Sequence, residues 1–289
     1  MSLYQFAIAP FVDYGFLRRA LVACFALGLG SGPIGVLLML RRMSLMGDAM
    51  SHAVLPGAAA GFLVAGGLSL PAMGLGGLIA GLSVAVLSGV VSRSTPLRED
   101  ASFASFYLTS LALGVLIVSA RGSNIDLLHV LFGTILAIDA TALYFIGCIT
   151  SFTIAMLAVI YRPLVVECFD PGFLRAVDGH GSRYHFLFLL LVVLNLVAGF
   201  QALGTLMAVG LMMLPAAVAQ LWARTLPQMI AIATGTAAAS GFIGLAVSYH
   251  LGFASGPTII LTASLIYAAS LLGSSTAIRR ILPRPRMAG

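Results

Sequence analysis

The length of its uninterrupted apolar runs is what most constrains this chain. Nine runs stand at roughly 15–40, 50–68, 72–92, 103–120, 140–161, 185–200, 202–221, 228–250 and 257–278. A helix crossing a bilayer needs about 20 apolar residues, and in lipid every backbone N–H and C=O must be satisfied within the protein. A lipid-facing β-barrel would show short alternating segments, not long continuous runs. The runs therefore predict an all-α, polytopic transmembrane bundle of about eight or nine helices. Charged residues make up only 8% of the 289, against about 25% in a soluble domain. Nearly all the mass belongs in the membrane, as one domain over residues 1–289.

Every basic residue is arginine; lysine is absent. The net charge of +6 comes from arginines at the ends of apolar runs, not from a basic patch with interleaved aromatics, so nucleic-acid binding is excluded. Arg41, Arg42, Arg93, Arg98, Arg162, Arg175, Arg183, Arg224 and the tail arginines 279, 280, 284 and 286 can all be placed on one side. Twelve of the fifteen arginines are then cytoplasmic, leaving only Arg18, Arg19 and Arg121 outside. That bias predicts nine crossings with the N-terminus outside. The first run is too long for a signal-peptide core and leads straight into Arg41, so it reads as a membrane helix.

Three places interrupt the pattern. The stretch "DLLHVLFGTILAI", 126–138, is apolar but too short to span, and reads as re-entrant or interfacial. "GFQALG", 199–204, leaves little room for a loop between the sixth and seventh runs, hence the count of eight or nine. The longest polar loop, 162–184, contains its own helix signal. Asp170 reads as an N-cap with Pro171 behind it, then "GFLRAV", then a stop at Gly179 or Gly181. A short amphipathic helix there is suited to dock a soluble partner. Glu167, Cys168 and Asp170 have metal-ligand chemistry, but beside a docking helix they read as partner contacts. His180 and His185 read as polar loop residues. Cys24, Cys148 and Cys168 read as unpaired thiols. Glycine-rich segments such as "GLGGLIAGLSVAVLSG", 74–89, read as close helix packing.

The chemistry concentrates in "GDAMSHAVLPG", 47–57. Asp48 and His52, spaced i, i+4, share one helix face. They lie 7 and 11 residues past Arg41, about 10–15 Å into the bilayer at ~1.5 Å per residue. A carboxylate at that depth costs several kcal/mol unless it is paired or faces water, which makes it a functional position by default. Carboxylate oxygen with imidazole nitrogen suits zinc, manganese or ferrous iron. Pro56 and Gly57 loosen the helix just beyond and free backbone carbonyls. Two other readings stay open on spacing alone: a proton relay, and structural use with Asp48 as the N-cap of the second helix. Asp126 and His129, at i, i+3 on the outer side, and His250, at the outer end of the eighth run, are further candidate ligands. No phosphate-binding loop occurs, and without lysine none can be complete, so any ATPase must be another chain. No nucleophile elbow or zinc-protease motif occurs either.

"LRRMSLMGDAMSHAVLPGAAAGFL" resembles the signature of the permease subunits of bacterial ABC importers for zinc, manganese and iron, the ABC-3 family. The likeness continues through "HVLFGTILAID", "FDPGFLRAVDGHG" and "GTLMAVGLMMLPAAVAQLW", in order, over almost the whole chain. The resemblance implies a non-enzymatic transport subunit of the bacterial inner membrane, with no permanently bound cofactor. Its cargo would be zinc by preference, or manganese or iron. The implied partners are a second copy or a sister permease, two cytosolic ATPases and an extracytoplasmic metal-binding protein. It implies that Asp48 and His52 line the translocation path and hold the metal. Asp170, Arg175 and Gly179 would belong to the coupling helix that enters a cleft on the ATPase. Family members often read "LDLPSG" where this chain reads "LGFASG", 251–256; Gly252 replaces the acid, and His250 is the residue that could substitute. The rival function is a secondary transporter with Asp48 and His52 as proton relay.

Overall fold

The computed structural model describes residues 8–67, 69–96, 99–120, 138–169, 173 and 181–274. Among these residues all regular structure is helical. A one-turn helix α1 (Ala9–Asp13) precedes nine long ones. These are α2 (Gly15–Leu40), α3 (Ser44–Ala65), α4 (Leu70–Ser94), α5 (Glu99–Ala120), α6 (Ala140–Phe169), α7 (Gly181–Leu203), α8 (Thr205–Trp222), α9 (Leu226–Leu251) and α10 (Ser255–Gly273). Eight are long and apolar enough to cross a membrane, and α5 is apolar over Ala101–Ile117. Eight span-competent helices with one shorter apolar helix match the expected count of eight or nine. Asp126, His129, Asp170, Arg175, Gly179, His180 and the tail arginines lie outside the described residues, as do most of the predicted re-entrant and coupling segments.

α2 and α7 form the centre of the bundle. In their most apolar windows 72% and 67% of residues are buried, against 22% for the peripheral α10. α2 packs on α6, α8 and α9, and α7 on α4, α6 and α8. Midway along α7, Asn195 Nδ2 donates to Thr153 Oγ1 of α6 at 2.8 Å and to its own Leu191 carbonyl at 2.9 Å. Such interhelical bonds are worth about 0.6 kcal/mol each in a membrane, so most of the adhesion is close packing. Glycine supplies that closeness: a Cβ on Gly57 of α3 would run into the Gly76 carbonyl of α4, and one on Gly35 of α2 into the Met212 carbonyl of α8.

The short "GFQALG" junction is resolved by one residue. α7 runs to Leu203, Gly204 turns the chain at φ 86°, ψ 163°, and α8 starts at Thr205. Only glycine takes that backbone geometry readily, so two long helices need almost no loop. The α2–α3 turn is equally short. Arg42 adopts φ 59°, Arg42 N–H donates to the Met39 carbonyl, and Met43 N–H donates to the Leu38 carbonyl at 2.9 Å. This 6→1 closure is a Schellman-type helix end, with arginine in the left-handed position that glycine usually takes.

Candidate functional site

α3 begins at Ser44, with Met43 as its N-cap, six residues earlier than the apolar run alone indicates. The polar "SLMGDAMSH" is part of the helix, because tertiary packing of Met46 and Met50, both buried, outweighs the local polarity. This removes the N-cap reading of Asp48, which lies one turn inside the helix. Asp48 and His52 stand about 6 and 12 Å along α3 at ~1.5 Å per residue, in the first half of the helix.

The two side chains share a face, as their spacing requires. His52 Nε2 is 3.9 Å from Asp48 Oδ1, too long for a hydrogen bond. Among the described residues the Asp48 carboxylate has no other polar partner. The Asp48 side chain is 69% exposed and that of His52 34%. Both face an open cleft of about 460 Å³ between α3, α8 and α10, many times the ~30 Å³ share of one water molecule. Asp48, Ser51 and His52 line it from α3, Thr205, Leu206, Val209, Gly210, Met213 and Leu214 from α8, and Ile260 from α10. Ser51 Oγ directs its proton to the helix backbone, donating to the Asp48 carbonyl at 2.7 Å. Pro56 cannot donate to the His52 carbonyl one turn back, so that oxygen is left without its helical partner.

Two cleft neighbours were not indicated by the sequence. The Tyr107 ring of α5 stacks near His52, with centroids 6.5 Å apart and planes at 28°. The Met213 methyl packs against the backbone at Gly47, beside Asp48, where a Cβ would meet it at 2.6 Å. An aromatic and a methionine inside apolar helices carry no signal that separates them from ordinary packing.

The other candidates stand elsewhere. His250 lies in the last turn of α9, edge-on to Tyr249 with centroids 5.2 Å apart, and does not line the Asp48–His52 cleft. Gly252 follows as a left-handed C-cap at φ 67°, a position that favours glycine. His185 is not a loop residue. It is buried in the second turn of α7, where it meets Arg41 together with Glu167 and Cys168. A guanidinium among these three side chains excludes a cation there. No group of three or more His, Cys, Asp or Glu able to hold a metal occurs among the described residues. The cysteines are free: Cys24 buried, Cys148 exposed, Cys168 between.

Known proteins are similar to this chain over most of its length. Residues 13–274 match the ABC 3 transport family. The chain is 34% identical over 275 residues to the manganese transport system membrane protein MntC of Halalkalibacterium halodurans, covering 95% of this chain and 92% of that one. It is 32% identical over 258 residues to the manganese import system permease protein ScaB of Streptococcus gordonii, covering 89% and 91%. It is 30% identical over 270 residues to the chelated iron transport system membrane protein YfeD of Yersinia pestis, covering 93% and 89%. Among solved structures, PsaBC from Streptococcus pneumoniae in complex with Fab superposes with a TM-score of 0.83 at 30% identity, covering 96% of this chain and 98% of that one. With a family match over residues 13–274 and eight helices apolar enough to span among the described residues, the chain belongs to the ABC 3 transport family and is a multi-pass protein of the bacterial inner membrane.

Proposed function

We propose that this chain is the permease of an ATP-driven importer for a divalent transition metal, and that Asp48 and His52 are the cargo's transient ligands. The carrying observation is the pair itself: a carboxylate and an imidazole in the first half of a membrane helix, open to a cleft and unspent on protein partners. A structural pair would close to hydrogen-bonding distance and be buried. A transport site has to release what it takes, so loose, hydrated ligands fit the task.

The relatives named above carry manganese or chelated iron in their names, and none carries zinc. Manganese or ferrous iron therefore replaces zinc as the favoured cargo. Hard oxygen plus imidazole ligation accommodates both. Two side chains are too few for such an ion. A second copy of the chain, or a sister permease, facing the cleft would supply another carboxylate and imidazole, with water and the free His52 carbonyl completing the shell. The chain carries no ATP-binding motif, so a cytosolic ATPase pair drives the cycle through residues 170–179. An extracytoplasmic binding protein delivers the metal. Asp126, His129 and His250 would serve the entry side.

The test is uptake of manganese, ferrous iron and zinc in cells lacking their own importers, with the chain expressed beside its ATPase and binding protein. Asp48→Ala and His52→Ala should each abolish uptake while the complex still assembles. Uptake surviving both changes sinks the site assignment. Metal movement by the purified chain on a proton gradient without an ATPase would replace the importer with a proton-coupled carrier.

A further inference from the structure

One charged cluster is left unused by this reading. Arg41, at the C-terminal cap of α2, buries its side chain to 6% exposure between the ends of α6 and α7. Its Nη2 donates to Glu167 Oε2 at 3.0 Å, and its Nε to Cys168 Sγ at 3.4 Å. Its Nη1 lies 3.3 Å from His185 Nδ1; a guanidinium can only donate, so that ring nitrogen accepts. The guanidinium carbon stands 4.4 Å over the ring of Phe188. The second Glu167 oxygen is 3.7 Å from His185 Nδ1.

The location gives this network its meaning. Glu167 and Cys168 belong to the last turn of α6, and His185 and Phe188 to the first two turns of α7. Between them in the sequence fall residues 170–179, which the importer reading gives to the ATPase. Arg41 also opens the three-residue turn into α3, and Asp48 follows seven residues later. That turn is stiff, closed by its 6→1 hydrogen bond and anchored by Met43, Met46 and Met50 in the same core cluster as Leu164 and Phe188. One side chain therefore ties the end of α6 and the start of α7 to the turn that leads into the helix carrying the candidate metal ligands.

We propose that Arg41 is a positioning residue for transport: through Glu167 and His185 it transmits movement of the adjoining ends of α6 and α7 to α3, and so to the Asp48–His52 cleft. The inference rests on the importer reading. Its test uses proteoliposomes holding the chain with its ATPase and binding protein, supplied with manganese and ferrous ions. ATP hydrolysed and metal taken up are measured together. The variants are Arg41→Gln, Glu167→Gln and the control Arg42→Gln, an exposed residue outside the network.

In Arg41→Gln and Glu167→Gln, hydrolysis should stay within about twofold while metal moved per ATP falls about tenfold, in the usual range of coupling between sites. Arg42→Gln should keep the original ratio. A ratio unchanged in both network variants overturns the proposal. So does a parallel fall of hydrolysis and uptake, which marks a merely structural role. If Arg41→Gln fails to assemble, Glu167→Gln decides, since it keeps the side-chain size and an acceptor for Arg41. An unaltered protein that couples no metal uptake to ATP overturns the importer reading instead, and this inference with it.

Discussion

Two polar groups sit seven residues apart on the same turn of chain, and they are built in opposite ways. Around Arg41 the charges are closed: side chains of Arg41, Glu167 and His185 are 6, 11 and 10% exposed, and the guanidinium has a partner in each direction. At Asp48 and His52 the charges are open, 3.9 Å apart, facing a cleft. A buried ion pair whose hydrogen bonds are satisfied is costly to break, whereas an exposed pair contributes little to stability. The contrast separates a part that holds the bundle from a part held ready for something outside it.

The sharpest way to break the contrast is to leave one charge of the closed group unpaired. Arg41→Leu should lower unfolding free energy by about 3–5 kcal/mol, seen as a large drop in the melting temperature of detergent-solubilised protein. A melt like the unaltered protein's would show that the closed group does not hold the helices. At the open pair the expectation reverses. Asp48→Asn should leave the melt unchanged within about 1 kcal/mol, as for other exposed pairs. It should cut metal uptake by more than the about 10–100-fold typical of losing an outer-shell partner. Destabilisation comparable to Arg41→Leu would make Asp48 a structural residue.

A smaller effect is predicted where α3 is clamped beyond the site. Gly57→Ala forces a methyl into the Gly76 carbonyl and should cost about 1–3 kcal/mol in the same melt. No cost there would mean that α3 and α4 can separate freely. The smallest belongs to Tyr107. Tyr107→Leu removes the ring beside His52 and should weaken site occupancy by about 0.5–1.5 kcal/mol, read as a raised half-saturating metal concentration in uptake. An unchanged value would mean that His52 is oriented by α3 alone.

Much of this architecture is legible without coordinates because it is local. Run lengths place the helices. The spacing of Asp48 and His52 puts them on one face whatever surrounds them. The limits of local reading show at particular residues. The apolar run begins only at residue 50, yet the helix begins at Ser44 because Met46 and Met50 are drawn into the core. His185 looks like a polar loop residue, yet Arg41, 144 positions away, turns it inward.

By itself the sequence determined which segments form helices apolar enough to cross, and that one helix carries an aspartate and a histidine in register. These follow from the length of apolar runs and the 3.6-residue period, which act over tens of residues at most. Only the tertiary structure decided what each face meets: the cleft shared with α8 and α10, the tyrosine beside His52, and the guanidinium between the ends of α6 and α7. The physical reason is the solvent. When lipid and neighbouring helices are equally apolar, a helix is hydrophobic all round, and no periodic signal marks which side is inside. Packing geometry has to make that choice.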